Sequence, residues 1–219
     1  DCMVMLTGSK FYQSPPFCGA LLVPKTISSK LTNISDEAVA PFLDIFSTSD
    51  ISSDHPVLRS KFRENENYGT LLRWEAAISE MKLLSFYGED MVTMAIDRWN
   101  AFVISQLQIN SKYFELMPDQ QFTNRSIISF NVKHPDGSLL TDEELRKLYL
   151  KICADERDDF YDFKKIIIGQ PVKYDNKSFI RLALGSFNVR MLIASEFDFK
   201  FDRKLVNIIV KELEALFWT

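Results

Sequence analysis

Lys10 stands directly behind Thr7-Gly8-Ser9, which in turn follow an uncharged run from Cys2 to Leu6. A lysine amine is a useful nucleophile only when its position is held and its proton can leave. A turn that closes a strand holds position. Thr7 and Ser9 add two hydroxyls, which with the backbone N–H groups of the turn suit a phosphate beside the amine. Taken locally, a Gly-Ser turn carrying a solvated lysine is the commoner arrangement, because short motifs of this kind recur by chance. Sulfur and imidazole offer less. Cys2, Cys18 and Cys153 are odd in number and none forms a CxxC pair, which predicts a reduced, intracellular protein without structural zinc. His55 and His134 both precede proline and are too few for a convincing metal site.

The elements that must position Lys10 come first in the chain. Cys2 to Leu6 reads as a fully buried strand, and Ala20 to Val23, ended by Pro24, reads as a second. A buried strand needs neighbours on both sides, so the chain is expected to be a fragment, a processed product or one piece of a split protein. Residues 26–66 are rich in Ser, Asp and Asn and read as a loop region with one or two helical turns. Leu71, Trp74, Ala77, Ile78, Met81 and Leu84 then recur at helical spacing and predict an amphipathic helix ending near Gly88. Met91, Met94, Ala95, Trp99, Phe102, Val103 and Leu107 predict a second, from Glu89 to about Ile109.

The second half has a different rhythm. Strands are expected at Ser126–Val132, Ile166–Ile168 and Phe179–Leu184, with a turn at His134-Pro135-Asp136-Gly137. Thr141 and Glu144 have the spacing of a capping box, opening a helix to about Ala154. Further helices are read at Ser186–Ser195 and from an Asp202 cap through Leu205, Ile208, Ile209, Leu213 and Leu216. The order predicts an α/β chain whose last part is a small α+β domain, with a short antiparallel sheet and helices on one face. The expected division is 1–66, the incomplete end of a larger domain; 67–112, connecting helices; and 113–219, the small domain. The 18 Phe are read as core, as is Cys153. Asp155-Glu156-Arg157-Asp158-Asp159 reads as a solvated turn, and Gly169-Gln170-Pro171-Val172 as a loop.

Composition excludes some functions. A net charge of −4 with 26% charged residues gives no reason to expect nucleic acid or an anionic membrane surface as partner. No apolar run is long enough to span a bilayer.

Three segments together resemble a known family. Thr7-Gly8-Ser9-Lys10 with Pro15-Pro16-Phe17 and Gly19-Ala20-Leu21, then Asn67-Tyr68-Gly69-Thr70-Leu71-Leu72-Arg73-Trp74, then Ser178-Phe179-Ile180-Arg181-Leu182-Ala183-Leu184-Gly185, resemble class V aminotransferases of fold type I, which include the cysteine desulfurases. They stand in the family's order and span nearly the whole chain. The resemblance implies pyridoxal 5'-phosphate as cofactor and an amino acid as substrate. It implies Lys10 as the Schiff-base lysine and proton carrier, Thr7 beside the cofactor phosphate, and Arg181 as a bidentate clamp on the substrate carboxylate. Ser9 stands where many members carry histidine, so it is a weaker candidate for the phosphate. The other reading of Arg181 is a strand-edge arginine in a surface pair. Arg73 either reaches the active site or subunit contact or is a solvated helix residue. Cys18 lies beside the lysine loop rather than on the separate loop expected for a desulfurase cysteine. The family's remaining cofactor groups precede its lysine, so the resemblance also implies an N-terminal segment or partner chain, a homodimer and a cytoplasmic location. The alternative expectation is a non-enzymatic interaction module, or an inactive remnant of such an enzyme.

Overall fold

The structure, a computed structural model, describes residues 2–29, 34–117, 125–154, 166–174 and 177–218. The chain divides into two compact units, Asp1–Leu83 and Leu84–Thr219.

In the first unit, β1 (Val4–Thr7) and β2 (Gly19–Leu22) form an antiparallel ribbon, with Val4 opposite Leu22 and Thr7 opposite Gly19. Short helices follow: α1 (Lys25–Ser28), α2 (Asp36–Val39) and α3 (Pro56–Arg59), with 3-10 turns at Ala40–Phe42 and Thr48–Asp50. The Ser- and Asp-rich stretch thus holds more helix than its sequence suggested. Its polar residues act as caps: Ser35 accepts from the Ala38 N–H, and Ser47 with Asp50 closes a capping box.

The expectation of a fully buried first strand is corrected. Every residue of β1 and β2 is exposed, and Met5 is 86% exposed. A two-stranded ribbon has two faces and two open edges, and no third strand pairs with it among the described residues.

The long helix α4 (Tyr68–Ser85) is capped by Asn67, whose side chain accepts from the Thr70 N–H at 3.0 Å. Of its expected stripe, Ala77 and Leu84 are buried and Trp74 and Met81 half-buried, while Leu71 is 55% exposed. Leu72 and Leu83 are exposed off the stripe, so α4 is apolar on more than one face.

The second unit begins with α5 (Glu89–Ile109), which follows Gly88 at φ 74° and places Glu89 and Asp90 at its positive end. It buries Ala95, Trp99, Val103 and Leu107, a narrower line than the predicted stripe. A four-stranded antiparallel sheet contains β3 (Phe114–Leu116), β4 (Ile127–Val132), β5 (Gly169–Tyr174) and β6 (Lys177–Ala183), in the order β3-β4-β6-β5. Phe130 pairs with Ile180 and Ile128 with Leu182, and these four with Val132 fill one face. That face is backed by α5 and by α6 (Asp142–Ala154), whose Leu145, Leu148 and Ile152 are fully buried. Helices α7 (Ser186–Ala194) and α8 (Lys200–Phe217) complete the layer, α7 on α5 and α8 on α5 and α6. The expected mixed fold with a small antiparallel sheet and helices is what the chain forms.

The Thr141 capping box is present. The Thr141 N–H donates to Glu144 Oε2 at 2.8 Å and the Glu144 N–H returns to Thr141 Oγ1 at 3.3 Å. The His134 turn is also present, with Gly137 at φ 86°.

Other expectations are corrected. Ile166–Ile168 is irregular, and the strand begins at Gly169, so Gly169-Gln170-Pro171-Val172 is strand rather than loop. Gly169 lies so close to Arg181 that a Cβ would meet its carbonyl oxygen at 2.7 Å. The register then shifts before Val172, a bulge that accommodates Pro171 on an edge strand. Asp202 does not cap α8; Phe199 holds that position, and Asp202 turns into the core. Several Phe are surface residues, Phe17, Phe42, Phe46 and Phe86 among them. The 155–159 charge run lies outside the described residues. Among the described residues, no helix is long and apolar enough to cross a membrane.

Candidate functional site

The Lys10 turn is fixed from two sides. The Gly8 N–H donates to the Cys18 carbonyl at 2.9 Å, continuing the ladder one step past Thr7, and the Gly8 carbonyl accepts from the Ser14 N–H at 3.0 Å. A Cβ at position 8 would lie 2.6 Å from the Ala77 Cβ and 2.7 Å from Cys18 Sγ. No side chain fits there, and this sets the glycine requirement. Four residues back on α4, the Arg73 carbonyl accepts from the Ser14 hydroxyl at 2.7 Å. Residues four apart share a helix face, so one face of α4 grips both ends of the turn. Gln13 and Phe17 adopt positive φ, 54° and 66°, a cost that the surrounding contacts must hold in place.

The functional groups stand on the outer side of this frame. Thr7 Oγ1 and Ser9 Oγ are 3.1 Å apart and share a hydrogen bond. Lys10 is exposed, and no hydrogen bond or ion pair engages its amine among the described residues. Thr7, Ser9 and Lys10 are therefore brought together on one rigid turn. Cys18 is buried beneath Gly8, its Sγ packed against the backbone.

Arg181 belongs to the second unit. It lies on β6, a central strand, opposite Ser129 of β4 and Gly169 of β5. The strand-edge reading is corrected, and no side-chain partner engages Arg181 among the described residues. Its neighbours Ile180 and Leu182 point to the core, so Arg181 takes the other face of the sheet, half-buried. Asn131, two residues beyond Ser129, shares that face. It is fully buried, its Nδ2 reaches Glu115 Oε1 at 3.5 Å, and its Oδ1 has no partner.

Sequence reasoning missed Ser14 and the fit of Gly8 against Ala77. The paired glycine and serine flanking the lysine carried a faint signal. Ala77 carried one too, as the smallest residue of the helix stripe. Arg73 is not a freely solvated residue. Its Nε is buried without a partner, and its guanidinium lies over Gly69, where a Cβ would meet Nη1 at 2.8 Å. The histidines serve locally: His55 Nε2 bonds the Ser28 hydroxyl at 2.9 Å, and His134 Nε2 lies 3.2 Å from Glu144 Oε2.

The turn offers an exposed primary amine beside two hydroxyls. Such a set fits the aldehyde and phosphate end of pyridoxal phosphate. No acidic side chain bonds to Thr7, Ser9 or Lys10 among the described residues, so the turn offers nothing for the ring nitrogen. Among the described residues, no group of three or more His, Cys, Asp or Glu is placed to hold a metal. No protein-family description, curated protein or solved structure matches the chain.

Proposed function

We propose that this chain is the C-terminal portion of a pyridoxal-phosphate-dependent transferase or lyase of the class V aminotransferase kind, acting on an amino acid. The observation that carries the reading is the turn itself. A glycine with no room for a side chain and a serine bound to a helix carbonyl hold Lys10 still while leaving its amine open. Lys10 Nζ would anchor the cofactor and carry a proton at the substrate α-carbon. The hydroxyls of Thr7 and Ser9 would orient the phosphate. Arg181, which forms no ion pair among the described residues, would bind the substrate carboxylate. The cofactor, when bound, supplies the electron sink for the bond broken at the α-carbon. The resemblance of the three segments supports the same assignment.

The exposed apolar ribbon supports the further proposal that an N-terminal segment or partner chain completes the site; the proposed homodimer and cytoplasmic location rest on the resemblance alone. The same exposure also favours the second reading, an interaction module in which Lys10 does no chemistry. Incubation with pyridoxal phosphate, reduction with borohydride and peptide mapping separates the two. The chain is tested alone and with any polypeptide that co-purifies. A pyridoxyl adduct concentrated on Lys10, and lost in Lys10→Ala with unchanged circular dichroism, is the expected result. Label spread over surface lysines, or absent under both conditions, refutes the enzymatic reading.

A further inference from the structure

The second unit carries a small cleft between α6 and β5, separate from the Lys10 turn. It has a volume of about 210 Å³ and is lined by Arg146, Tyr149 and Leu150 from the helix and by Gln170 and Pro171 from the strand. The helical residues stand three and four apart, so they share one face of α6. Gln170 and Pro171 lie inside the bulge of β5, between the pair Gly169–Arg181 and the pair Val172–Phe179. A bulge takes its residues out of the ladder and re-aims them. β5 is an edge strand, and Pro171 has no N–H to offer a further strand. An extended peptide is therefore a poor occupant of the cleft, and a small molecule a better one.

The lining residues define the chemistry of the occupant. Their one charge is the guanidinium of Arg146, and no carboxylate is among them. Asp142 Oδ2 accepts from Arg146 Nε at 2.8 Å. That bond fixes the guanidinium and leaves both Nη groups without a partner among the described residues. The Gln170 amide is also without a partner there. Arg146 is 66% exposed, so a ligand reaches it without displacing protein. Burial, with Cys153 alongside, pushes the Tyr149 hydroxyl above its ordinary 10.0, so the phenol stays neutral and does not repel an anion. One guanidinium edge and a neutral amide match a singly charged, planar carboxylate. A doubly charged phosphate would leave part of its charge unmet, with Asp142 close by. Leu150, 60% exposed, and the rings of Tyr149 and Pro171 supply apolar walls. The cleft holds the liquid volume of about seven waters, below the range for drug-sized ligands, so its occupant has one or two rings.

We propose that this cleft is a binding site for a small aromatic carboxylate. The carboxylate takes the open Nη edge of Arg146 and the Gln170 amide, and the ring lies against Leu150, Tyr149 and Pro171. An apolar body fixed by a few convergent polar groups is the common pattern of small-molecule sites. The site belongs to the second unit and is independent of any chemistry at Lys10.

Titration of the isotope-labelled full chain with naphthoate, followed by amide NMR, tests this. Saturable shifts confined to residues 146–150 and 169–173 are expected, with a dissociation constant of about 0.1–1 mM. Naphthylmethanol, the same ring without the charge, should bind about tenfold more weakly. Arg146→Gln should weaken naphthoate binding about tenfold, and Leu150→Asp severalfold. Both positions are exposed, and unchanged amide positions elsewhere check that each variant keeps its fold. Absence of saturable shifts, shifts spread over other elements, equal binding of the alcohol, or binding unchanged in Arg146→Gln would overturn the proposal.

Discussion

Replacing Trp99 by phenylalanine removes one N–H donor from the core of the second unit. In the native chain, Trp99 Nε1 donates to Asp202 Oδ1 at 2.8 Å. Both residues are buried, Asp202 to 9% exposure, and no cation pairs with it among the described residues. Burial pushes the Asp202 carboxyl above its ordinary value of 3.8, opposed by the indole and by its own backbone N–H. A buried acceptor left bare costs about 1–3 kcal/mol. The lost ring volume adds roughly 1 kcal/mol more, so Trp99→Phe should cost about 2–4 kcal/mol. Urea unfolding followed by circular dichroism reads this directly.

The pH dependence gives a second, independent check. The folded-state pKa of Asp202 is raised, so its stabilising contribution is fully present below about 3.9 and is lost as pH rises through the folded value. Asparagine keeps an acceptor and cannot ionise. The stability of Asp202→Asn relative to the native chain should therefore rise as pH is taken from about 4 to 7. The double variant should show a coupling of about 1 kcal/mol or more. A Trp99→Phe cost below about 0.5 kcal/mol, in the range of an ordinary surface change, would refute the reasoning. So would a stability difference for Asp202→Asn that does not vary with pH.

Two further outcomes follow from contacts elsewhere. Gly8→Ala forces a Cβ against Ala77 and Cys18; a cost of about 1–3 kcal/mol is expected, with faster proteolytic cleavage within residues 9–18 as the readout. Thr141→Ala removes the hydroxyl side of the α6 capping box, leaving the backbone N–H of position 141 on Glu144, and should cost about 0.5–2 kcal/mol in urea unfolding. The Thr141 N–H, first among its bonds, holds the Glu144 carboxyl below its ordinary 4.5. The stability from this bond is present above that value and lost as pH falls through the lowered one. The acid-limb slope should shrink in Glu144→Gln.

Local signals were the legible ones. Thr141 and Glu144 read as a cap because a capping box is complete within four residues. Gly137 read as a turn because only the local backbone decides it. The stripe of α8 was readable because its partners lie on one side, whereas α4 spreads apolar residues around its circumference and no period could say which would be covered. Asp202 was misread because a capping aspartate and a core aspartate look alike until Trp99, 103 residues away in sequence, supplies the donor. The strand before β6 is expected too early, at Ile166–Ile168, because Gly169 and Pro171 carry loop signals. A bulge on an edge strand overrides them. In the candidate site, Thr7, Ser9 and Lys10 were legible as neighbours, but the grip of Ala77 and Arg73 on their turn was not, since it joins residues more than 50 positions apart.

The ribbon has one more consequence. In most hairpins, a slip of one residue is resisted because it would carry polar side chains inward and apolar ones out. Val4, Met5 and Leu6 face Leu22, Leu21 and Ala20, so a slip here exchanges one apolar residue for another and meets almost no penalty. The alignment of the two strands must come from elsewhere. It comes from the step past their end, where Gly8 is bonded to Cys18 and wedged beneath Ala77. The turn that presents Lys10 is thus also the pin that keeps the ladder in step, and a change that loosens it frees the strands to slide as well as the lysine to move.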